Sequence, residues 1–245
     1  MSEPMKQIQM HSLLQNRKLW AVIPAAGSGR RFSETALKQY QKIQNKTVLE
    51  HTIQRLTHLP LSAYVLAISE QDDVAKTLDL NDATKAKFCL GGNERVDSVL
   101  NALHYLSDFA SDEDWVFVHD AARPCVSVEC LENLVTQAIE TDQSAILAIP
   151  VRDTLKRVQT DFEIQTTVDR SQLWQAQTPQ ISKLGLLRQA IEQALEHGVS
   201  ITDEASALEY IGAPVQVVMG RSDNIKITYP EDLDLARLIL QSQNQ

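Results

Sequence analysis

A loop of small residues near the N-terminus has the composition needed to bind phosphate groups. Residues 25–29 (AAGSG) follow an apolar segment, and the cations Arg31 and Lys38 come shortly after them. Small side chains let backbone N–H groups approach an anion closely, and the two cations would neutralise part of its charge. The loop lacks the dinucleotide-binding and Walker A spacings, so a different mode of phosphate binding is expected.

A second polar segment, HDAARP, directly follows the apolar run WVFV and contains Asp120. A carboxylate at the carboxyl end of a strand can hold Mg²⁺, which prefers oxygen ligands and bridges phosphates. Asp120 is therefore the candidate metal ligand, and the alternative is that it caps the following turn. Arg123 could brace this loop or contact a phosphate, and a structural, hydrogen-bonded role is favoured for His119.

Lys226 lies in a third segment, Asn224–Thr228, whose alternating pattern predicts a strand. Ile225 and Ile227 would occupy one face and Lys226 the other. From local pattern alone, Lys226 could serve a site or simply be exposed on an edge strand. Asp223 is interpreted as a turn residue rather than a second metal ligand.

Several common catalytic motifs are missing from the sequence. It contains no G-x-S-x-G elbow, no H-E-x-x-H pair and no Cys/His spacing typical of zinc sites. A reaction that needs neither a protein nucleophile nor zinc is therefore favoured. Transfer to a phosphate monoester fits, because that group carries about 1.5 to 2 negative charges at neutral pH and needs no general base. It needs alignment and relief of charge repulsion, which Lys, Arg and Mg²⁺ supply.

Alternating strands and helices must position these segments. Strands are predicted near residues 19–27, 63–69, 87–92, 115–120, 145–150, 215–220 and 224–228. Helices are predicted near residues 46–58, 94–107, 128–140, 182–197 and 203–211 and after Pro230. The alternation predicts an α/β, Rossmann-like fold with a mostly parallel sheet covered by helices on both faces. Ligands bind beyond the carboxyl ends of such strands, so AAGSGRR, GGNERVDS and HDAARP should converge on one cleft.

Residues 151–174 interrupt this alternation and predict a protruding β-hairpin arm with a turn near Thr160 and Asp161. Residues 19–245 are expected to form one domain, with residues 1–18 as a flexible extension. A two-stranded hairpin is only marginally stable alone, so the arm is expected to pack against another surface.

The composition excludes several classes of protein. With 23 basic and 32 acidic residues the net charge is -9, which argues against broad binding to nucleic acids or membranes, since both are polyanions. No apolar run approaches the roughly 20 residues that span a bilayer, and the N-terminus lacks the apolar core of a secretory signal. Cys89, Cys125 and Cys130 are expected to be free thiols. A soluble cytoplasmic protein is therefore expected.

From about residue 20 to residue 240, the sequence resembles the 2-C-methyl-D-erythritol 4-phosphate cytidylyltransferases. The segments that carry the resemblance, in order, are VIPAAGSGRRF, GGNERVDSV, VHDAARP, PVRDTLKR, TVDR, TPQ, ITDEASALE and DNIKITYPEDL. The resemblance implies a fold of the nucleotidyltransferase type. It implies that CTP and methylerythritol phosphate give CDP-methylerythritol and pyrophosphate, in non-mevalonate isoprenoid synthesis. It also implies dependence on Mg²⁺ and a homodimer whose subunits exchange their arms.

The resemblance assigns roles to residues at matching positions. Arg31 and Lys38 would hold the CTP phosphates, Lys226 would support the transition state at the α-phosphate, and Asp120 would serve the metal and the nucleotide. The other nucleotide-binding positions would be Ala25, Ala26, Gly27 and Gly29 in the loop and Gly91, Gly92 and Ser98 near the cytosine. The positions expected to meet methylerythritol phosphate are Thr154, Lys156 and Arg170 on the arm, with Thr178 and Thr202 lining the site. Asn93 departs from the pattern, since an acidic residue also occurs there among relatives.

Two other functions stay open at this point. A ribitol 5-phosphate cytidylyltransferase would share the loop and the cytosine pocket, although PVRDTLKR and TVDR favour methylerythritol phosphate. A non-catalytic nucleotide-binding protein could share the fold. The joint presence of Arg31, Lys38, Asp120 and Lys226 argues against it, because binding alone does not require the full set of charged groups.

Overall fold

The computed structural model describes residues 10, 12–14, 16–27, 32 and 37–243 of the chain. Its strands are β1 (Leu19–Pro24), β2 (Lys42–Ile43), β3 (Lys46–Thr47), β4 (Ala63–Ile68), β5 (Ala86–Leu90), β6 (Trp115–Val118), β7 (Ser144–Pro150), β8 (Leu155–Val158), β9 (Ile164–Val168), β10 (Trp174–Lys183) and β11 (Val215–Met219). Its α-helices are α1 (Val48–Leu56), α2 (Arg95–Ser107), α3 (Val128–Thr141), α4 (Leu184–Glu196), α5 (Glu204–Tyr210) and α6 (Asp232–Gln243).

A seven-stranded sheet in the order β11-β7-β10-β6-β1-β4-β5 forms the centre of the fold. Neighbouring strands are parallel except at β10, which runs antiparallel to both β6 and β7. Helices cover both faces of this sheet. The predicted α/β fold with a mostly parallel sheet is therefore confirmed.

Strands β6, β1 and β4 are buried along almost their whole length because helices pack on both of their faces. Successive side chains of β1 point to opposite faces. Leu19, Ala21 and Ile23 pack in the same apolar cluster as helices α1 and α3, whereas Trp20 and Val22 pack with α2 and α4. This two-sided packing fixes the carboxyl end of β1, where the small-residue loop begins.

Strand β10 was not predicted, and the predicted helix near residue 182 begins only after it, at Leu184. Its sequence, WQAQTPQISK, has no apolar run, because its buried side chains include polar ones. Those polar groups are satisfied inside the protein: Gln180 Nε2 donates to Asp203 Oδ2 at 2.9 Å, and Ser144 Oγ donates to Ser182 Oγ at 2.9 Å. Hydrogen bonding thus lets a polar segment occupy the middle of the sheet.

The prediction of a strand at Asn224–Thr228 is wrong, since this segment pairs with no strand of the described sheets. It is an extended loop, and Ile227 N–H donates to the carbonyl of Ala122 at 2.9 Å. The Ile227 side chain is fully buried in a cluster with Cys125 and residues of α6. The apolar alternation that suggested a strand therefore comes from packing against a helix.

The predicted hairpin is present as strands β8 and β9, which pair antiparallel in a two-stranded sheet of their own. Large apolar side chains are exposed along the arm, with Phe162 90% and Ile164 62% accessible. Exposed apolar surface of this kind commonly marks an interaction site.

Much of the predicted N-terminal extension lies outside the described residues. Within the described part, Met10 and Leu14 are buried against the main apolar cluster, and Arg17 Nη1 lies 2.9 Å from Asp142 Oδ1. In the described part of the chain, no helix combines the length and apolar character required to cross a membrane.

Asp114 is a buried carboxylate that ties several elements together. It accepts hydrogen bonds from the backbone N–H groups of Lys18 (2.8 Å) and Ser111 (3.1 Å) and from Trp20 Nε1 (3.0 Å). We predict that Asp114→Ala lowers the free energy of unfolding by about 3 kcal/mol, because it leaves buried donors unpaired. Chemical denaturation measures the loss, with Asp108→Ala at an exposed position as control. A loss no larger than that of the control would contradict the prediction.

Candidate active site

A cleft of about 560 Å³ opens at the carboxyl ends of the central strands. The residues that line it are Pro24, Ala25, Gly27, Lys38, Gln39, Gly92, Asn93, Glu94, Arg95, Ser98, Asp120, Ala121, Ala122, Lys226 and Thr228. The three polar segments expected to converge thus do so among the described residues. Arg31 and Gly29 lie outside the described part of the chain.

Close packing joins the small-residue loop to the turn after β5. A Cβ atom on Gly91 would lie 2.4 Å from the Cβ of Ala26, so only glycine allows the two loops to approach this closely. Gly91 and Ala26 are themselves not among the residues that line the cleft, and they pack behind those residues. The neighbouring Gly92 N–H donates to Ser98 Oγ at 3.0 Å, which fixes the turn on the first turn of α2.

Asp120 is the electrostatic centre of the cleft. Its Oδ1 accepts a hydrogen bond from Arg95 Nε at 2.9 Å, and its Oδ2 lies 2.7 Å from Lys226 Nζ. Arg123 Nε lies 3.6 Å from the same Oδ2. Burial alone would raise the pKa of this carboxyl, but the combined charges of the three cations hold the pKa well below its usual range. Asp120 is therefore ionised at neutral pH.

Arg95 and Glu204 belong to this network, and neither was singled out from the sequence. Arg95 donates to both carboxylate oxygens of Glu204, at 2.7 and 3.2 Å, while its Nε holds Asp120. An arginine in the first turn of a helix opposes the helix dipole, and that mismatch was the available signal. Glu204 gave no signal, because a glutamate in the first turn of α5 is ordinary.

Lys226 and Lys38 approach the cleft from different segments. Lys38 lies in a short 3₁₀ turn, Lys38–Tyr40, and its Nζ donates to the carbonyl of Ile227 at 2.9 Å. The neighbouring Gln39 donates to the carbonyl of Ala25 at 2.9 Å, so this turn is attached to the small-residue loop. The two lysines are thereby brought to one cleft wall although 188 positions separate them in the sequence.

His119 and Thr178 form a buried hydrogen-bonded chain behind Asp120. His119 Nε2 lies 3.0 Å from the carbonyl of Arg123, and its Nδ1 lies 3.1 Å from Thr178 Oγ1. Thr178 Oγ1 in turn accepts from the Asp120 N–H at 3.1 Å. Burial lowers the pKa of His119 to about 4, so the ring is neutral at pH 7. These contacts agree with a structural role for His119.

The residues expected to meet the second substrate are not gathered in one place. Thr202 borders a small cavity of about 90 Å³ beside Arg95 and Glu204. The arm positions are exposed, and none of them lines the cleft of this chain: Thr154, Lys156 and Arg170. These three side chains could therefore contribute only to the cleft of another subunit, or to the cleft of their own chain after a movement of the arm.

No cysteine of this chain is suited to act as a nucleophile at neutral pH. All three are free thiols. Burial raises the pKa of Cys89 to about 11 and is the main cause that raises the pKa of Cys125 to about 12. The pKa of Cys130 is raised as well, and chiefly by burial. None of the three is among the described residues that line the cleft.

Arg95 and Lys226 both contact the carboxylate of Asp120, but their removal should lower the unfolding free energy by different amounts. Arg95→Met leaves the buried carboxylates of Asp120 and Glu204 without their shared partner, so we expect a loss of about 3 kcal/mol in unfolding free energy. Lys226→Met leaves Asp120 paired with both arginines, so we expect a loss of about 1 kcal/mol or less. Denaturant titration of both variants measures the difference, and equal losses would refute this division of roles.

Comparison with known proteins assigns the chain to a family. Residues 19–242 match the family model described as 2-C-methyl-D-erythritol 4-phosphate cytidylyltransferase. A relative of that name from Acinetobacter baumannii (strain SDF) is 68% identical over 96% of this chain and 99% of its own. A relative of that name from Pseudoalteromonas translucida is 47% identical over 96% of each chain.

Solved structures agree with this match. The crystal structure of a Francisella tularensis protein with the same name is 37% identical, with a TM-score of 0.79 over 91% of this chain and 99% of that one. A structure described as 4-diphosphocytidyl-2C-methyl-D-erythritol synthase is 38% identical, with a TM-score of 0.80 over 92% of this chain and 99% of that one. The chain therefore belongs to the 2-C-methyl-D-erythritol 4-phosphate cytidylyltransferase family.

Proposed function

We propose that this protein transfers CMP from CTP to 2-C-methyl-D-erythritol 4-phosphate, giving CDP-methylerythritol and pyrophosphate in non-mevalonate isoprenoid synthesis. The observation that carries the proposal is the placement of Lys38, Asp120 and Lys226 on one cleft in a chain of this family. The cleft volume of about 560 Å³ suits a small ligand.

The proposed reaction is a single displacement at phosphorus. A phosphate oxygen of methylerythritol phosphate attacks the α-phosphorus of CTP and forms the new P–O bond. The bond from that phosphorus to the bridging oxygen of the β-phosphate breaks, and pyrophosphate leaves with the electron pair. The attacking phosphate is largely a dianion at neutral pH, so no general base is required.

The cations of the cleft have complementary tasks in this reaction. Lys226 would lie against the α-phosphate, where negative charge rearranges most, and Lys38 would bind the outer phosphates together with Arg31. Positioned charges in a site that excludes water stabilise a transition state without reorganising during the reaction. Asp120 would hold the Lys226 ammonium in place through the 2.7 Å contact.

We also propose that the enzyme works with Mg²⁺. The described residues contain no group of three or more His, Cys, Asp or Glu side chains arranged for a metal ion. Mg²⁺ at phosphate-transfer sites is usually held by one or two carboxylates together with substrate phosphates, and Asp120 is a carboxylate on the cleft wall. Both oxygens of Asp120 already contact cations, Arg95 at Oδ1 and Lys226 at Oδ2, so Asp120 would join such a ligand set only by sharing an oxygen with one of them. When bound, Mg²⁺ would neutralise charge on the phosphates of CTP.

Cytosine recognition is assigned to the stretch from Gly91 to Ser98. Cytosine and uracil differ in an amino donor against a carbonyl acceptor, and a site with fixed partners rejects the wrong group because buried atoms stay unpaired. The hydrogen bond from Gly92 N–H to Ser98 Oγ ties this stretch to α2, which supports the assignment. Thr202 would lie on the side of the acceptor substrate, whereas Thr178 is buried behind Asp120 and would support the site from there.

The first test is pyrophosphate release with CTP and methylerythritol phosphate. We expect kcat/KM for CTP to exceed that for UTP by about 100-fold or more, with ATP and GTP inactive. Ribitol 5-phosphate in place of methylerythritol phosphate tests the alternative acceptor. Equal use of CTP and UTP would reject the assigned base recognition, and faster turnover of ribitol 5-phosphate would reject the proposed acceptor.

Lys226→Ala tests the proposed transition-state contact. Removing one donor to developing charge commonly costs about 10²–10³ in rate, so kcat should fall by that factor while the KM for CTP changes much less. Lys42→Ala, at an exposed position on β2, is the matched control. A Lys226→Ala enzyme with near-normal kcat would show that the lysine has no role at the transition state.

We further propose a homodimer in which each arm reaches the cleft of the partner. The arm exposes large apolar side chains, and it carries Thr154, Lys156 and Arg170 away from the cleft of its own chain. The planar guanidinium of Arg170 could grip the phosphate of methylerythritol phosphate with two hydrogen bonds. We also propose a cytoplasmic location, which is supported by the high charge of both substrates and by the free cysteine thiols, as in reducing compartments.

Mixing two inactive variants tests the exchange. Arg170→Ala removes an arm contact and Lys226→Ala removes a cleft contact, so in a mixed dimer one cleft carries both defects and the other carries neither. Activity should return to about half that of the native enzyme per heterodimer if the two clefts act independently. Heterodimers as inactive as their parents, with subunit exchange verified by mass spectrometry, would disprove a shared site.

A further inference from the structure

The position of Lys226 is not set by the sheet, because the segment Asn224–Thr228 has no strand pairing in the described part of the fold. A catalytic lysine on an extended loop needs other contacts if its ammonium is to stay at one point. Asn224, two residues before Lys226, is a polar residue that is only 1% exposed.

Asn224 is held by hydrogen bonds at both its side-chain amide and its backbone carbonyl. Its side-chain Nδ2 donates to the carbonyl of Thr178 at 3.0 Å and to Gln177 Oε1 at 3.3 Å. Its backbone carbonyl accepts from Arg123 Nη1 at 2.7 Å. The Oδ1 atom of Asn224 is buried and receives no hydrogen bond from the described residues. The side chain therefore works as a donor toward β10.

Neighbouring groups hold Gln177 where it can accept the hydrogen bond from Asn224. Gln177 Nε2 donates to the carbonyl of Arg221 at 2.9 Å, so the side chain bridges β10 and the start of the loop. A Cβ atom on Gly220 would lie 2.4 Å from Gln177 Oε1, so the bare backbone of glycine makes room for the amide. The loop is thus anchored to β10 on the side that precedes Lys226.

A second anchor lies on the other side of Lys226. Ile227 N–H donates to the carbonyl of Ala122, its side chain is fully buried, and its carbonyl accepts from Lys38 Nζ. Lys226 is therefore held between a fixed Asn224 and a fixed Ile227. With either anchor lost, the chain could shift by about 1 Å, and such a shift can cost on the order of 10²-fold in rate.

We propose that Asn224 is a positioning residue for cytidylyl transfer, which fixes Lys226 against Asp120 by donating to the Thr178 carbonyl of β10. This inference rests on the proposed function for the reaction that it serves. Asn224 touches neither substrate in this proposal and acts only through Lys226. Arg123 contributes to the same anchor, because it binds both the Asn224 carbonyl and Asp120.

The test compares Asn224→Ala and Asn224→Leu with the native enzyme, with Ser222→Ala at an exposed position of the same loop as control. We expect kcat to fall by about 10- to 100-fold in both Asn224 variants, while the KM for CTP stays within about threefold. In the Lys226→Ala background, Asn224→Ala should lower kcat by no more than about twofold, since the positioned group is already absent. A purely structural residue would lower kcat equally in both backgrounds.

Hydrogen exchange of backbone amides gives a readout that does not depend on activity. Amides of residues 225–228 should exchange faster in Asn224→Ala than in Ser222→Ala, while amides of β1 and β6 keep their protection. Unchanged exchange at residues 225–228, native kcat in Asn224→Ala, or a full additional loss in the Lys226→Ala background would each overturn the proposal. A native chain that releases no pyrophosphate refutes the proposed function instead, and the exchange measurement then decides alone whether Asn224 anchors the loop.

Discussion

The charge of one buried carboxylate, that of Asp120, is the constraint on which the cleft depends. A carboxylate taken out of water is unfavourable unless cations and hydrogen bonds compensate it. Arg95, Arg123 and Lys226 supply the compensation from α2, from the loop after β6 and from the loop before α6. Because these segments are distant in the sequence, the requirement to neutralise Asp120 helps to bring the walls of the cleft together.

The cations around Asp120 differ in their other contacts within the protein and in their exposure. Arg95 is shared with the buried carboxylate of Glu204, and Arg123 is also bound to the Asn224 carbonyl. The side chain of Lys226 is 36% exposed and meets Asp120 from the open side of the cleft. Arg95 also lines the cleft, with its side chain 28% exposed, and Arg123 is 13% exposed. Lys226 is therefore the most exposed of the three cations and the one most open to a phosphate.

Sequence patterns predicted the parts of the fold in which burial has a simple period. Strands β1, β4 and β6 are buried on both faces, so each is a continuous apolar run. Strand β10 escaped prediction because hydrogen bonds inside the fold, such as that from Gln180 to Asp203, replace apolar burial. At Asn224–Thr228 apolar and polar residues do alternate, but the segment is not a strand. The alternation arises because Ile227 packs against α6 and not within a sheet.

The site was predictable to the extent that its chemistry is local. A small-residue loop and an aspartate at a strand end point to phosphate and metal by themselves, and both border the cleft. Glu204 and Asn224 could not be identified in this way, because their partners lie far along the chain, and Arg95 offered only the unfavourable placement of a cation in the first turn of a helix. Glu204, for example, is separated from Arg95 by 109 positions. Pairings between distant buried groups are set by the tertiary fold and leave no periodic pattern.

The claim that Asp120 presents Lys226 to the nucleotide is tested most directly by a crystal structure of the protein with bound CTP and Mg²⁺. We predict that the triphosphate occupies the cleft between the small-residue loop and Asp120, with an α-phosphate oxygen within hydrogen-bonding distance of Lys226 Nζ. Asp120 should keep its contact with Arg95. A triphosphate bound outside this cleft, or an α-phosphate beyond the reach of Lys226, would contradict the claim.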